Sequence, residues 1–242
     1  MKNRFALLAL ADLRQARRDP MLEVLLYAPI LILGLVRFGL PPLQELLLQY
    51  TGFDLTPHFP FVLSMVPMLM PLMVGMVVGF ILLDERDENI LTVIAVTNLS
   101  RSSYLVYKTL LPLLYSSLLS FLSLHLAGQP LFPLLLSAPG VIAASLLAPC
   151  IAFFLAAYAE NKVSGLVLAK GAGLLLAFPV IAYLLPAHWA YLMAPAPTFW
   201  LSLHLTALAE GKPLAWPALA AGLLLMCALL MFFIQRFEKR AG

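Results

Sequence analysis

The densest group of reactive side chains in the sequence is the run Asp84-Glu85-Arg86-Asp87-Glu88, directly after a long uncharged stretch. The residues behind it, Ile90, Leu91, Ile94 and Ala95, recur at helical spacing and predict a short amphipathic helix. Asp87 and Glu88 stand at the start of that helix, where negative charge complements its dipole. An acidic cap joined to an apolar helix face is a docking surface for a protein partner. A solvated loop closing a helix is the plainer reading of the same charges.

Other chemistry is sparse. His58, His125, His188 and His204 share no metal-ligand spacing, so no metal site is expected, and Cys150 and Cys227 sit in apolar segments as core cysteines. No nucleophile elbow, zinc-protease helix or Ser/His/Asp grouping occurs. The phosphate-binding GxxxxGK[ST] pattern is absent too, so the chain does not bind ATP in the usual way. Within the apolar segments the ionisable groups are Glu23, Arg37 and Lys170, each near a segment end where snorkelling accounts for it. A transporter driven by its own ion relay needs more than that. Met65, Met68, Met73 and Met76 fall within an arc of about 140° on one helix. Such a soft, polarizable stripe could face an apolar substrate path, with ordinary packing as the alternative.

The elements that position these residues follow from composition. The chain has 242 residues, of which 62% are hydrophobic and 11% charged, and its mean hydropathy is +0.96. Soluble domains run about 45–50% apolar and about 25% charged. No Asp, Glu, Lys or Arg occurs over Leu55–Leu83, Thr109–Ala159, Gly171–Ala209 or Pro213–Gln235. Such runs exclude a soluble enzyme, a nucleic-acid-binding domain and a disulfide-stapled module. They predict an all-α integral membrane protein, since about 20 apolar residues in a helix cross the hydrocarbon.

Turn signals such as Gly128-Gln129-Pro130 divide the runs into six spans near 20–40, 61–83, 109–127, 134–158, 163–185 and 216–235, in one transmembrane domain over 1–242. Pro29, Pro67, Pro71, Pro149 and Pro179 bend several of them, as in a pathway or a static bundle. With both termini cytoplasmic, Lys2, Arg4, Arg14, Arg17, Arg18, Arg86, Arg101, Lys108, Lys162, Arg236, Lys239 and Arg240 share one side, against Lys212 and Arg37 on the other. Residues 1–19 do not read as a cleaved signal, because Asp12, Arg14, Arg17 and Arg18 stand where the cleavage site belongs. Their Phe5, Ala9, Leu13 and Ala16 stripe predicts an amphipathic interfacial helix ended by Asp19-Pro20. On the outer side, 41–60 reads as a connection. Residues 187–213, rich in Pro and aromatic residues, read as a re-entrant or interfacial segment before the last span.

A family resemblance rests on the acidic segment. ABC type-2 transporter permeases carry an acidic Glu-Arg-Glu stretch, then Gly-Thr-Leu-Glu, two apolar residues, Thr-Pro and Ser. Glu85-Arg86-Asp87, Leu91, Thr97 and Ser100 match that signature, and Tyr104 and Lys108 resemble the start of the family's next span. Asn89, Ile90, Thr92 and Asn98 depart from the usual Gly, Thr, Glu and Pro. The architecture is similar over nearly the whole chain.

The resemblance implies a multi-pass permease subunit of a drug- or multidrug-export-like ABC exporter in the cytoplasmic membrane, itself not an enzyme. Two permease chains, alike or different, would form the pathway for an apolar or amphipathic drug, lipid or peptide. Separate ABC ATP-binding subunits, holding ATP and Mg, would dock at the cytoplasmic coupling region 84–108. Asp84, Glu85, Arg86, Asp87, Glu88, Leu91, Thr97 and Ser100 would transmit their motion. No cofactor is implied on this chain, and no nucleic acid; its other partner is membrane lipid. A heme-exporter-like permease of cytochrome maturation, an intramembrane lipid-modifying enzyme and a non-transporting assembly or sensor subunit are the alternative readings.

Overall fold

The computed structural model describes residues 2–88, 90, 100–126 and 133–241, and all regular structure among them is helical. The longer elements are α1 (Lys2–Arg18), α2 (Pro20–Gly34), α3 (Leu40–Thr51), α4 (Phe59–Asp87), α5 (Arg101–Leu126), α6 (Leu134–Ser145) and α7 (Leu147–Tyr158). They continue with α8 (Lys162–Gly173), α9 (Ala177–Leu184), α10 (Ala187–Ala190), α11 (Pro197–Ala209) and α12 (Trp216–Ala241). Six helical stretches are long and apolar enough to cross a membrane: Pro20–Thr51, Thr56–Asp87, Arg101–Leu126, Leu135–Tyr158, Lys162–Leu184 and Trp216–Arg240. The chain is thus a multi-pass, all-helical membrane protein. The amphipathic helix expected from Ile90 onward, with Leu91 and Thr97, lies outside the described residues except for Ile90 itself.

Two stretches differ from the sequence reading, and a third gains detail. Arg37, Pro41 and Pro42 predict that the first span ends near residue 40, yet helix continues to Thr51 through a π-helical turn at Leu35–Gly39. Proline is tolerated in the first turn of a helix, where its missing N–H has no partner to lose, and that is where α3 places its prolines. The helix stops at Gly52, whose φ of +71° is left-handed and whose N–H reaches Leu48 O. Helix α5 begins at Arg101, two turns before the charge-free run at Thr109, so Lys108 lies inside it. Residues 187–213 are mostly helical: α11 has 13 residues, too few to cross a bilayer, and buries Leu201, Ser202, His204 and Leu205 against the rest of the bundle.

The second and fourth spans form the axis. In their most apolar stretches 78% and 83% of the residues are buried, against 17% to 28% in the other four. Small residues let the two backbones approach. A Cβ at Gly75 would come within 2.6 Å of Ala148 O, and one at Gly79 within 2.8 Å of a Leu155 methyl and 3.2 Å of Ala152 Cα. Phe80, Leu82, Leu83, Phe153 and Leu155 complete the core around this contact.

Prolines interrupt the backbone hydrogen bonding of these spans, and neighbouring hydroxyls take up carbonyls they release. Pro71 has no N–H for Pro67 O, and Ser120 Oγ donates to it at 2.9 Å. Pro149 likewise frees Ser145 O, which accepts from Ser116 Oγ at 3.3 Å, and Pro179 frees Leu175 O, which accepts from Thr198 Oγ1 at 2.6 Å. Membrane helices tolerate proline on this condition.

Replacing Gly75 with Leu drives a side chain into the α7 backbone, where nothing can rotate away. We expect a loss of about 3 kcal/mol or more, read as a lowered unfolding temperature of the detergent-solubilised protein. Gly34→Leu serves as the control, because a Cβ there meets nothing within 4 Å.

Candidate functional site

The acidic run Asp84–Glu88 ends α4 and divides between inward and outward roles. Glu85 turns in, where Lys108 Nζ lies 2.9 Å from its Oε1 and Tyr104 OH donates to its other oxygen. The same ammonium reaches both oxygens of Asp12, on α1, at 3.0 and 2.9 Å, and Tyr107 OH donates to Asp12 at 2.8 Å. Lys108 is 1% exposed and lies over the rings of Tyr104 and Tyr107, 5.7 and 5.6 Å from their centroids. Three helices thus meet at one buried cation.

The electrostatics explain the tyrosines. One ammonium faces two carboxylates, so one cation and the donors beside it must satisfy four buried carboxylate oxygens. A buried charge is tolerated only when its remaining lone pairs find donors. Tyr104 and Tyr107, one turn apart on α5 from Lys108 or adjacent to it, supply them.

Around this centre the other helix ends are tied down. Lys162 bridges Asp19 at 2.9 Å and Asp84 at 3.0 Å, and Gln15 Nε2 donates to Asp84 at 3.3 Å. Arg86 Nη1 donates to Ala156 O and Ala159 O at 2.8 and 2.7 Å, filling the carbonyls where α7 ends. Arg240 Nη1 donates to Ala157 O at 2.8 Å, and Arg101 Nη2 to Glu238 O at 2.7 Å, which adds α12. Asp19 also accepts from Met21 N at 2.9 Å as the cap of α2. The hydrogen bond from Lys162, above all, holds the Asp19 carboxyl below its ordinary pKa range.

Asp87 and Glu88 are the outward members. Asp87 pairs with Arg86 at 2.7 Å while its side chain stays 47% exposed, and Glu88 is exposed. Ser100, also exposed, caps the next helix: Ser103 N donates to its Oγ at 3.2 Å. Leu91 and Thr97 lie outside the described residues. The methionines stand apart from this end. Met68 and Met76 are buried in the main core and Met65 and Met73 pack against it. None of the four lines the cavity of about 410 Å³ between α1, α2, α4 and α5.

Asp12 is the member that sequence reasoning does not single out, because it sits among arginines on a helix read by its apolar stripe. A signal exists in Lys108. A lysine opening an apolar span, with no acid on its own helix within reach, has to find its counter-charge elsewhere.

The Rv2686c-like family model, described as fluoroquinolones export permease protein Rv2686c-like, matches residues 12–234. That segment contains Asp12, Glu85 and Lys108. Two curated relatives from Mycobacterium tuberculosis are similar over almost their whole length. They are fluoroquinolones export permease protein MT2760, from strain CDC 1551 / Oshkosh, and fluoroquinolones export permease protein Rv2686c, from strain ATCC 25618 / H37Rv. Each is 26% identical over 233 residues, covering 95% of this chain and 92% of the relative. No solved structure matches.

Lys108→Met leaves two buried carboxylates without their cation and should cost about 3–5 kcal/mol. Adding Asp12→Asn and Glu85→Gln to it removes the charges together and should recover much of the loss, both read by thermal unfolding in detergent. A second measurement follows from Asp19. Its lowered pKa contributes stability above the ordinary carboxylate range, and that contribution disappears as pH falls through the lowered value. Asp19→Asn, which keeps the cap oxygen, should flatten this acid limb of the stability profile.

Proposed function

The chain belongs to the Rv2686c-like fluoroquinolones export permease family, and on that basis we propose that it is the membrane subunit of an ATP-driven ABC exporter of amphipathic drugs. In this reading the charged helix ends face the cytoplasm, α1 lies along the membrane surface there, and two permease chains enclose the pathway in the cytoplasmic membrane. Separate ATP-binding subunits, which carry ATP and Mg, dock beside residues 84–100. The names of the relatives make fluoroquinolones the first substrates to test.

The observation that supports the reading most is the division of the acidic run. Asp87 and Glu88 remain exposed at the end of α4, available to a basic partner surface. Glu85, less than one turn earlier, is ion-paired to α5 and through Lys108 to α1. A displacement applied at the exposed acids is therefore passed to three helices at once through short, charge-assisted contacts. The twelve cationic residues on the proposed cytoplasmic side, against two on the other, support the orientation.

Everted membrane vesicles test the energy source. Vesicles carrying the permease and its ATPase should accumulate norfloxacin on addition of ATP, with a protonophore making little difference. Accumulation that needs the proton gradient instead would refute the ABC reading. Reversing the exposed acids, Asp87→Lys with Glu88→Lys, should cut co-purification of the ATPase subunit about tenfold or more, since like charges across an interface cost several kcal/mol. The permease itself should remain folded, because neither residue holds the buried network.

A further inference from the structure

The cavity of about 410 Å³ is a groove on the side of the bundle, walled by α1, α2, α4 and α5. Its lining is apolar, with Ala9 from α1, Leu26 from α2, Val77 from α4, and Leu111 and Tyr115 from α5. Two charges interrupt it, Asp12 and Arg17. Asp12 is the buried carboxylate of the network and shares its cation with Glu85. Lys108 is not part of the groove wall, so the groove meets the carboxylate and not its counter-ion. Arg17, five residues further along α1, is exposed and puts a positive charge on the same wall.

An occupant suited to this arrangement has a flat apolar body with a protonated amine at one end and an anion at the other. A phospholipid tail would fill the walls but bring no charge to Asp12 or Arg17. We propose that the groove is a binding site for zwitterionic aromatic amphipaths, with the amine toward Asp12 and the carboxylate toward Arg17. The proposal rests on the drug-export reading and deepens it. A fluoroquinolone is a fused aromatic bicycle with a carboxylate and a basic amine at opposite ends, so the groove has the charge pattern of that class. The volume lies within the range of small-molecule sites, about 300–1,000 Å³. The site also abuts the network that links α1, α4 and α5, so an occupant would contact the helices that the proposed ATPase stroke displaces.

The test is norfloxacin binding to the full chain in lipid nanodiscs, followed by ligand fluorescence. Leu111→Trp and Ala9→Phe fill the groove from opposite walls without touching a charge, and each should weaken binding about tenfold or more. Elution volume and unfolding temperature serve as folding controls. Arg17→Gln should weaken norfloxacin about tenfold while weakening its methyl ester, which lacks the carboxylate, by no more than about twofold. Phospholipid retained by each variant is counted by mass spectrometry. Equal norfloxacin affinity in wild type and both filled variants overturns the groove assignment and leaves the export reading standing. Loss of retained phospholipid with norfloxacin binding intact makes the groove a lipid site, and also overturns it. A wild-type chain that binds no fluoroquinolone, from vesicles that export none, overturns the assignment together with the reading beneath it.

Discussion

A single ammonium organises one end of this protein. Lys108 is almost wholly withdrawn from solvent, and a side chain so placed needs acceptors for all its donors within the protein. Asp12 and Glu85 come to it from helices far apart in the chain, so α1, α4 and α5 must meet wherever Lys108 goes. The ties around it extend the same logic. Lys162 draws the α7–α8 connection toward Asp19 and Asp84, Arg86 closes the end of α7, and Arg240 brings α12 to that same end. Remove the central cation and each outer tie keeps its partner, but Asp12 and Glu85 lose the one charge they share.

The membrane interior obeys a different constraint, that every backbone polar group must be satisfied within the protein. Helices meet it automatically until a proline intervenes. Here Pro71, Pro149 and Pro179 each release a carbonyl, and a serine or threonine on a neighbouring helix receives it. The tight α4–α7 contact at Gly75 and Gly79 answers a related need, because apolar helices gain little by associating in lipid unless their backbones pack closely. Charge therefore holds the end of the bundle, while close approach and hydroxyl donors hold its middle.

Much of the architecture was legible in the residues. Charge-free runs such as Leu55–Leu83 marked the spans because a soluble surface cannot be built from them, and the Glu85-Arg86-Asp87 resemblance pointed to the permease family to which the chain belongs. The helix that carries the first span runs on past residue 40 to Thr51, a continuation that no charge or apolar pattern around Arg37 announces. The acidic run read as one surface. Only three dimensions separate Glu85, facing a lysine on the next helix, from Asp87 and Glu88, facing out. Asp12 stayed hidden because its partner lies 96 residues away and no periodicity reports a contact of that range. The glycines at 75 and 79 have a visible spacing, but their letters do not name Ala148 and Ala152 as the surfaces they meet.

The buried face of α5 joins these two regimes. Lys108, Pro112, Ser116 and Ser120 follow one another at intervals of four, so the cation and both proline-satisfying serines occupy one stripe of one helix. Adjacent residues are separated by about 1.5 Å along a helix axis, and a hydroxyl hydrogen bond at its ordinary length of about 2.8 Å tolerates little stretching. Sliding α5 by a single residue would withdraw the donors from Pro67 and Ser145 together, leaving a carbonyl in each of two spans unsatisfied in one movement. The helix works as a rack whose teeth engage both neighbours, so the proline sites of α4 and α7 answer to one movement.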